Sequence, residues 1–135
     1  MQKIYMPSTD MNPEILFSPD ENIFRIKGIS RPENVREIYE PAVKWLADFR
    51  KELTPENSSF SEESPFTLEI NLEYFNSSSA KFLYDIIMLT RSIKEKEIPT
   101  AIIWMYDPAD PDCREAGEDL AILAEMDFVY IKKQE

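Results

Sequence analysis

The chain has 135 residues, 43% of them hydrophobic, so it is long enough to bury a core without disulfides or metal ions. Its 26 acidic and 15 basic residues give a formal net charge of −11, which disfavours nucleic acids and anionic membranes as partners. The absence of histidine and the single cysteine, Cys113, exclude His/Cys zinc sites, an internal disulfide, and catalytic centres of the Cys–His and Ser–His–Asp types.

The same sequence predicts a cytoplasmic location. No apolar run reaches the length of a membrane span, and the longest, at residues 101–106, has the length of a strand. The first five residues lack the apolar core of a signal peptide. A lone cysteine suits a reducing compartment.

The first third of the chain predicts two strands followed by a helix. Residues 14–18 and 23–28 flank the turn-forming residues 19–22, as expected for a hairpin. From residues 31–34 onward, apolar residues recur at three- and four-residue spacing, which is typical of an amphipathic helix. Pro41 lies inside this stripe and predicts either a kink or a restart of the helix.

The rest of the chain continues the alternation after a polar loop at residues 54–65. In the strand predicted at residues 66–75, apolar residues from Leu68 to Tyr74 alternate with polar ones, so we expect helices on one side of the sheet only. The later elements are a helix at about 78–97, a buried strand at 101–106, a helix at about 112–124 and a strand at 128–131. The order β-β-α-β-α-β-α-β predicts one α/β domain over residues 1–135, with a mixed sheet.

Four small polar residues, Asn76-Ser77-Ser78-Ser79, stand between the strand at 66–75 and the next helix. Asn and Ser are favoured as N-caps, so this segment could serve only to start the helix. The same position suits phosphorylation, because a hydroxyl at a helix N-terminus is exposed and the free amides and helix dipole there stabilise a phosphate. Composition and spacing leave both interpretations open.

A second candidate site is acidic. Its members lie between residues 107 and 119 and are Asp107, Asp110, Asp112, Glu115, Glu118 and Asp119. These carboxylates could bind a divalent metal ion or act as acid and base in a hydrolase, although the glycine turn and ligand spacing of a calcium loop are absent. They could equally be the favourable negative charges of a capped helix.

Three separated blocks of sequence resemble the SiaC family of bacterial regulatory phosphoproteins. The blocks are Leu72-Glu73-Tyr74-Phe75-Asn76-Ser77-Ser78-Ser79-Ala80-Lys81; Gly28-Ile29-Ser30-Arg31-Pro32-Glu33-Asn34 followed by Tyr39, Pro41, Trp45 and Leu46; and Trp104, Tyr106 and Asp107 with Asp110, Asp112 and Glu115-Ala116-Gly117-Glu118-Asp119. Their order and spacing also match the family, and together they extend over nearly the whole chain.

The resemblance implies a STAS-like fold and a partner-switching protein without catalytic residues or a cofactor. In that family a Ser/Thr kinase modifies the hydroxyl residue after the Asn, a PP2C-type phosphatase restores it, and the unmodified form engages a target such as a diguanylate cyclase. Carried over, the phosphoacceptor is Ser77, where the family has Thr, and Ser78 is the second candidate. The implied partner-binding residues are Asn76, Ser78, Ser79, Arg31, Glu33 and Asn34.

Overall fold

The computed structural model describes residues 1–134 and contains six strands and three helices. The strands are β1 (Ile4–Met6), β2 (Glu14–Ser18), β3 (Ile23–Ser30), β4 (Phe66–Phe75), β5 (Thr100–Tyr106) and β6 (Val129–Lys132), and the helices are α1 (Val35–Glu52), α2 (Ser77–Lys94) and α3 (Pro111–Ala124). The strands form one sheet in the order β1-β2-β3-β4-β5-β6. Pairing is antiparallel from β1 to β3 and parallel from β3 to β6.

This architecture confirms the predicted α/β class with a mixed sheet, and it corrects the element order. Strand β1 was missed, because its three residues are too few to show an alternating pattern. Helix α1 continues through Pro41 without interruption, so the restart that proline allowed does not occur. Among the described residues, no helix has the length and apolar character needed to cross a bilayer.

The core lies between one face of the sheet and the three helices. Along β4, Phe66, Leu68, Ile70 and Leu72 are buried, whereas the residues between them are only half-buried. Within residues 1–134, no helix lies on the opposite face. We call it the bare face; neighbouring strands place Arg25, Glu69, Ile103 and Val129 in one row across it. The prediction of helices on one side is therefore confirmed.

Each helix begins with a capping side chain at the edge where the parallel strands end. Asn34, Asn76 and Asp110 accept hydrogen bonds from backbone amides in the first turns of α1, α2 and α3. Near that edge Ser30, the last residue of β3, lies opposite Phe75, the last residue of β4. The loops that follow these two strands are therefore neighbours, which is where α/β folds commonly place binding sites.

Candidate functional site

The start of α2 is fixed by Asn76. Its side-chain oxygen accepts hydrogen bonds from the Ser79 amide at 2.9 Å and from the Ser78 hydroxyl at 3.1 Å. The backbone amide of Asn76 donates to the backbone carbonyl of Ser30 at 3.0 Å, which connects the helix start to the end of β3. The capping interpretation therefore holds for Asn76 and leaves the three serines to be considered separately.

The three serines have different surroundings. Ser77 and Ser78 are exposed, but the Ser78 hydroxyl is engaged with Asn76. Within residues 1–134, no hydrogen bond engages the Ser77 hydroxyl. Ser77 is therefore the serine of this segment whose oxygen is both accessible and unengaged.

Ser79 faces the core, which corrects its predicted place on a partner-binding surface. It is fully buried, and its hydroxyl donates to the Ser30 carbonyl at 3.1 Å while accepting a bond from the Ser30 hydroxyl at 2.8 Å. The Ser30 hydroxyl in turn lies 2.6 Å from the hydroxyl of Tyr39. A signal for this burial was present in the sequence, because Ser79 precedes Leu83 and Ile86 at helical spacing.

The Tyr39 hydroxyl closes this network from α1. Burial raises the pKa of Tyr39 to about 12, against the opposing effect of its hydrogen bonds with Ser30 and Ser79. Tyr39 therefore remains neutral at physiological pH. The Ser30–Tyr39–Ser79 network joins β3, α1 and the first turn of α2, and it holds Ser77 in a defined position on the surface.

The electrostatics around Ser77 suit a phosphate. The first turn of α2 contains no acidic residue, and the first amides of a helix have no intrahelical acceptor. Lys81 follows one turn later, 3.3 Å from Asp85 and 4.8 Å from the centre of the Phe82 ring. A phosphate on Ser77 would thus meet free amides, the positive end of the helix dipole and a lysine on the same helical face.

The loop at residues 31–34, which carries three of the implied partner-binding residues, lies next to this helix start. Arg31, Glu33 and Asn34 are exposed, and the Asn34 side chain caps α1 by accepting from the Glu37 amide at 3.3 Å. Glu33 and Asn34 also line a cleft of about 400 Å³ shared with residues 9–12. The structure therefore brings the loop and the exposed serines to one edge of the sheet.

A second cleft at this edge was not predicted. It has a volume of about 230 Å³ and lies between residues 72–75 of β4 and the start of α3. Tyr74 lines it and is 52% exposed, although the alternating pattern placed this residue on the buried face. The cause is a bulge: the register passes from Gly28 opposite Leu72 to Ile29 opposite Tyr74, which leaves Glu73 unpaired with β3. Gly28 makes the bulge possible by adopting a φ of 115°.

Three of the carboxylates of residues 107–119 have local structural roles. Asp107 accepts a hydrogen bond from the Ala109 amide at 2.9 Å, Asp110 caps α3, and Glu118 lies 4.0 Å from Arg114. Within residues 1–134, no group of three or more carboxylates and thiols is arranged to hold a metal ion. The geometry thus favours the capped-helix interpretation over the metal-binding or hydrolytic alternative.

These features define a small α/β protein whose candidate site consists of a serine-bearing helix start between two clefts. A family model described as the SiaC family regulatory phosphoprotein matches residues 6–133. The chain therefore belongs to the SiaC family, as the three sequence blocks indicated.

The chain is also similar to proteins of Pseudomonas aeruginosa. An uncharacterised protein of Pseudomonas aeruginosa (strain UCBPP-PA14) is 25% identical over 119 residues, which cover 88% of this chain and 87% of the relative. The structure is similar to apo-SiaC from P. aeruginosa, with a TM-score of 0.79, 23% identity and coverage of 99% and 100% of the two chains. It is also similar to a structure of the P. aeruginosa diguanylate cyclase SiaD in complex with its activator SiaC, with a TM-score of 0.78, 23% identity and coverage of 96% and 97%.

Proposed function

We propose that this chain is a non-enzymatic partner-switching protein of bacterial cyclic di-GMP signalling. Residues 1–135 act as one STAS-like regulatory domain in the cytoplasm. The unmodified form binds and regulates a target protein of the diguanylate cyclase class. A Ser/Thr kinase phosphorylates Ser77, which releases the target, and a PP2C-type phosphatase resets the protein.

The observation that carries the proposal is the position of the Ser77 hydroxyl. It is exposed at the helix N-terminus, and in the described part of the chain it has no hydrogen bond to give up before modification. Ser79 is sequestered in the buried hydroxyl network, and Ser78 is engaged with the cap. A kinase that approaches this edge therefore meets Ser77 first, with Ser78 as the second acceptor.

Phosphorylation at Ser77 would change the recognition surface without disturbing the fold. The phosphate adds nearly two negative charges to an edge of the sheet that also carries the exposed residues Glu33, Glu73 and Tyr74. It also occupies volume between the two clefts, where a partner in close contact would clash with it. Because the helix start accommodates the phosphate, the expected effect is loss of the target rather than unfolding of α2.

The target class comes from the family. The relative SiaC is described as the activator of a diguanylate cyclase in a complex of the two proteins. We infer that this chain engages a cyclase of the same class through Arg31, Glu33, Asn34, Asn76 and Ser78. Ser79 acts from behind this surface by positioning the helix start.

The test uses protein that carries phosphoserine at a chosen position. Chains with phosphoserine at 77, with phosphoserine at 78 and without modification are titrated against a purified diguanylate cyclase of the SiaD type. We expect phosphoserine at 77 to weaken binding at least tenfold, about 1.4 kcal/mol, and Ser77→Ala to bind as tightly as the unmodified chain. Phosphoserine at Ser59, exposed in the loop before β4 and thus at the other end of that strand, is the matched control for added charge, and phosphoserine at 78 tests the second acceptor.

Two results would overturn the proposal. One is equal binding of the cyclase by the unmodified and 77-phosphorylated chains. The other comes from peptide-level mass spectrometry of the protein taken from its native cytosol with phosphatases inhibited. If the serine segment carries no phosphate under any growth condition, a constitutive scaffold is the better description.

A further inference from the structure

Four of the eight large apolar side chains that are exposed in residues 1–134 belong to α3 and β6, outside the serine segment. Ile122 is 74% exposed and Leu123 67%, both near the end of α3, and Val129 and Ile131 of β6 are 53% and 38% exposed. Strand β6 is the last of the sheet, so the side of its backbone away from β5 has no partner strand within the described residues. Large apolar groups beside an open strand edge are typical of an interaction surface.

From this edge we propose that two copies of the chain associate by antiparallel pairing of their β6 strands. The pairing would be symmetric about Tyr130 and would join the two sheets into one. It is independent of the phosphorylation switch, because Ser77 belongs to α2 and lies outside this edge.

The backbone of β6 determines the register. The Lys133 amide donates to the Tyr106 carbonyl on β5 at 2.8 Å. Since successive strand residues direct their backbone groups to opposite edges, those of Val129 and Ile131 also face β5, whereas those of Tyr130 and Lys132 face the open edge. A two-fold axis at Tyr130 would let two copies exchange both hydrogen bonds of that residue. An axis at Val129 or Ile131 would instead require backbone groups that face β5 and are therefore not available to the second copy.

The side chains around Tyr130 are complementary in this register. Val129 of one copy lies opposite Ile131 of the other, on the bare face in the rows of Ile103 and Met105. Residues 127 and 133 flank β6 at its two ends, so this register brings Asp127 near the Lys132–Lys133 pair of the second copy, twice per dimer. The segment 127–133 is thus acidic before its apolar centre and basic after it, as antiparallel self-pairing requires.

The helix side of the edge fits the same occupant. Ile122 lines a groove of about 440 Å³ with Phe128 and Tyr130. Because the axis is perpendicular to the joined sheet, both α3 helices lie on the same face as the two grooves. Glu118 and Glu125 border the groove and oppose close approach, so we expect a reversible dimer in the micromolar to millimolar range.

Sedimentation equilibrium of the whole chain tests the proposal, over about 10 μM to about 1 mM at about 0.15 M salt. We expect a monomer–dimer equilibrium that Val129→Lys weakens at least tenfold. The matched control is Tyr5→Lys, which changes an exposed apolar residue on β1, the opposite edge strand, and should leave the equilibrium unchanged. A chain that is monomeric throughout this range, or a dimer that Val129→Lys does not weaken, would overturn the proposal. Equal weakening by Tyr5→Lys would show a β1–β6 contact instead and would also overturn it.

Charge exchange tests the register. Asp127→Lys and the double variant Lys132→Glu/Lys133→Glu each place like charges across the axis, so each alone should dimerise about tenfold more weakly. Mixed together, they restore opposite charges at both contacts and should form a heterodimer at least as stable as the unaltered dimer. Thermal unfolding confirms that both variants are folded. If the mixture associates no better than either variant alone, pairing about Tyr130 is wrong.

Discussion

At the scale of single residues, Tyr39 links the core to the candidate site. Its ring stacks on Phe82 of α2 with 5.6 Å between ring centroids, and its hydroxyl meets Ser30 within the buried network. A buried hydroxyl that loses its partners is costly, by about 1–3 kcal/mol. The three hydroxyls therefore depend on one another, and the position of the α2 start depends on all of them.

The raised pKa of Tyr39 predicts a loss of stability in alkali. Between about pH 10 and about pH 12, Tyr39 ionises in the unfolded chain but stays protonated in the folded one, where its pKa is about 12. The unfolded state then binds fewer protons, so the free energy of unfolding falls as pH rises, by up to about 3 kcal/mol from this residue. Urea unfolding at several pH values between 8 and about 11 measures the slope.

Tyr39→Phe should remove this part of the slope, while lowering stability by about 1 kcal/mol near neutral pH through the lost hydrogen bond. Tyr74→Phe alters an exposed tyrosine and serves as the control. An unchanged slope in Tyr39→Phe would mean that the Tyr39 hydroxyl does not remain neutral in the folded protein. The slope from Tyr130, whose pKa burial also raises, is common to all three chains.

At the scale of elements, the start of α2 depends on one side chain. Asn76 accepts two hydrogen bonds, whereas Ser78 only donates to Asn76 from an exposed position. We expect Asn76→Ala to lower the free energy of unfolding by about 1 kcal/mol, because the Ser79 amide loses its acceptor. Ser78→Ala should change it by no more than about 0.5 kcal/mol. Urea denaturation compares the two, and equal effects would show that Asn76 is not the cap.

The sequence predicted the helices and strands in which apolar residues recur at one regular spacing. It missed features that depend on pairing between strands. The strand at 66–75 and the helices had legible patterns because one face of each is buried in one core. Strand β1 was missed, since its place depends on antiparallel pairing with β2, and the exposure of Tyr74 depends on a bulge opposite β3. Such pairings join residues of different strands, so the pattern of apolar residues within one strand does not predict them.

Only part of the candidate site could be predicted from the sequence. Composition located the serine segment, motif resemblance added the loop at 31–34, and the pairing of β3 with β4 makes the two neighbours. Helical spacing with Leu83 and Ile86 was a signal that Ser79 is buried, but the segment alone did not separate Ser77 from Ser78, because they differ only in the hydrogen bond that Ser78 makes to Asn76. The second cleft also escaped prediction, since it joins β4 to α3 across the sheet edge.

At the scale of the whole molecule, two electrostatic effects oppose each other. The described residues contain five ion pairs, four of them between residues four apart on a helix, and each exposed pair contributes about 0.2–1 kcal/mol. The net charge of −11 has the opposite effect, because the excess negative charges repel one another across the surface of the folded protein. Pairs in contact lie well within one screening length, whereas the repulsion acts over longer distances.

Added salt should therefore stabilise this protein. Raising NaCl from about 0.01 M to about 0.15 M shortens the screening length from about 30 Å to about 8 Å, which removes most of the long-range repulsion and little of the contact attraction. We expect the melting temperature to rise by about 2 °C or more at neutral pH, measured at a protein concentration too low for dimers. Reversing two exposed loop charges with Glu62→Lys/Glu63→Lys should reduce the rise, because it makes the net charge less negative without removing an ion pair. A fall in melting temperature would mean that the ion pairs dominate. A larger rise in MgCl₂ than in NaCl at equal ionic strength would point to a specific cation site among the carboxylates of residues 107–119.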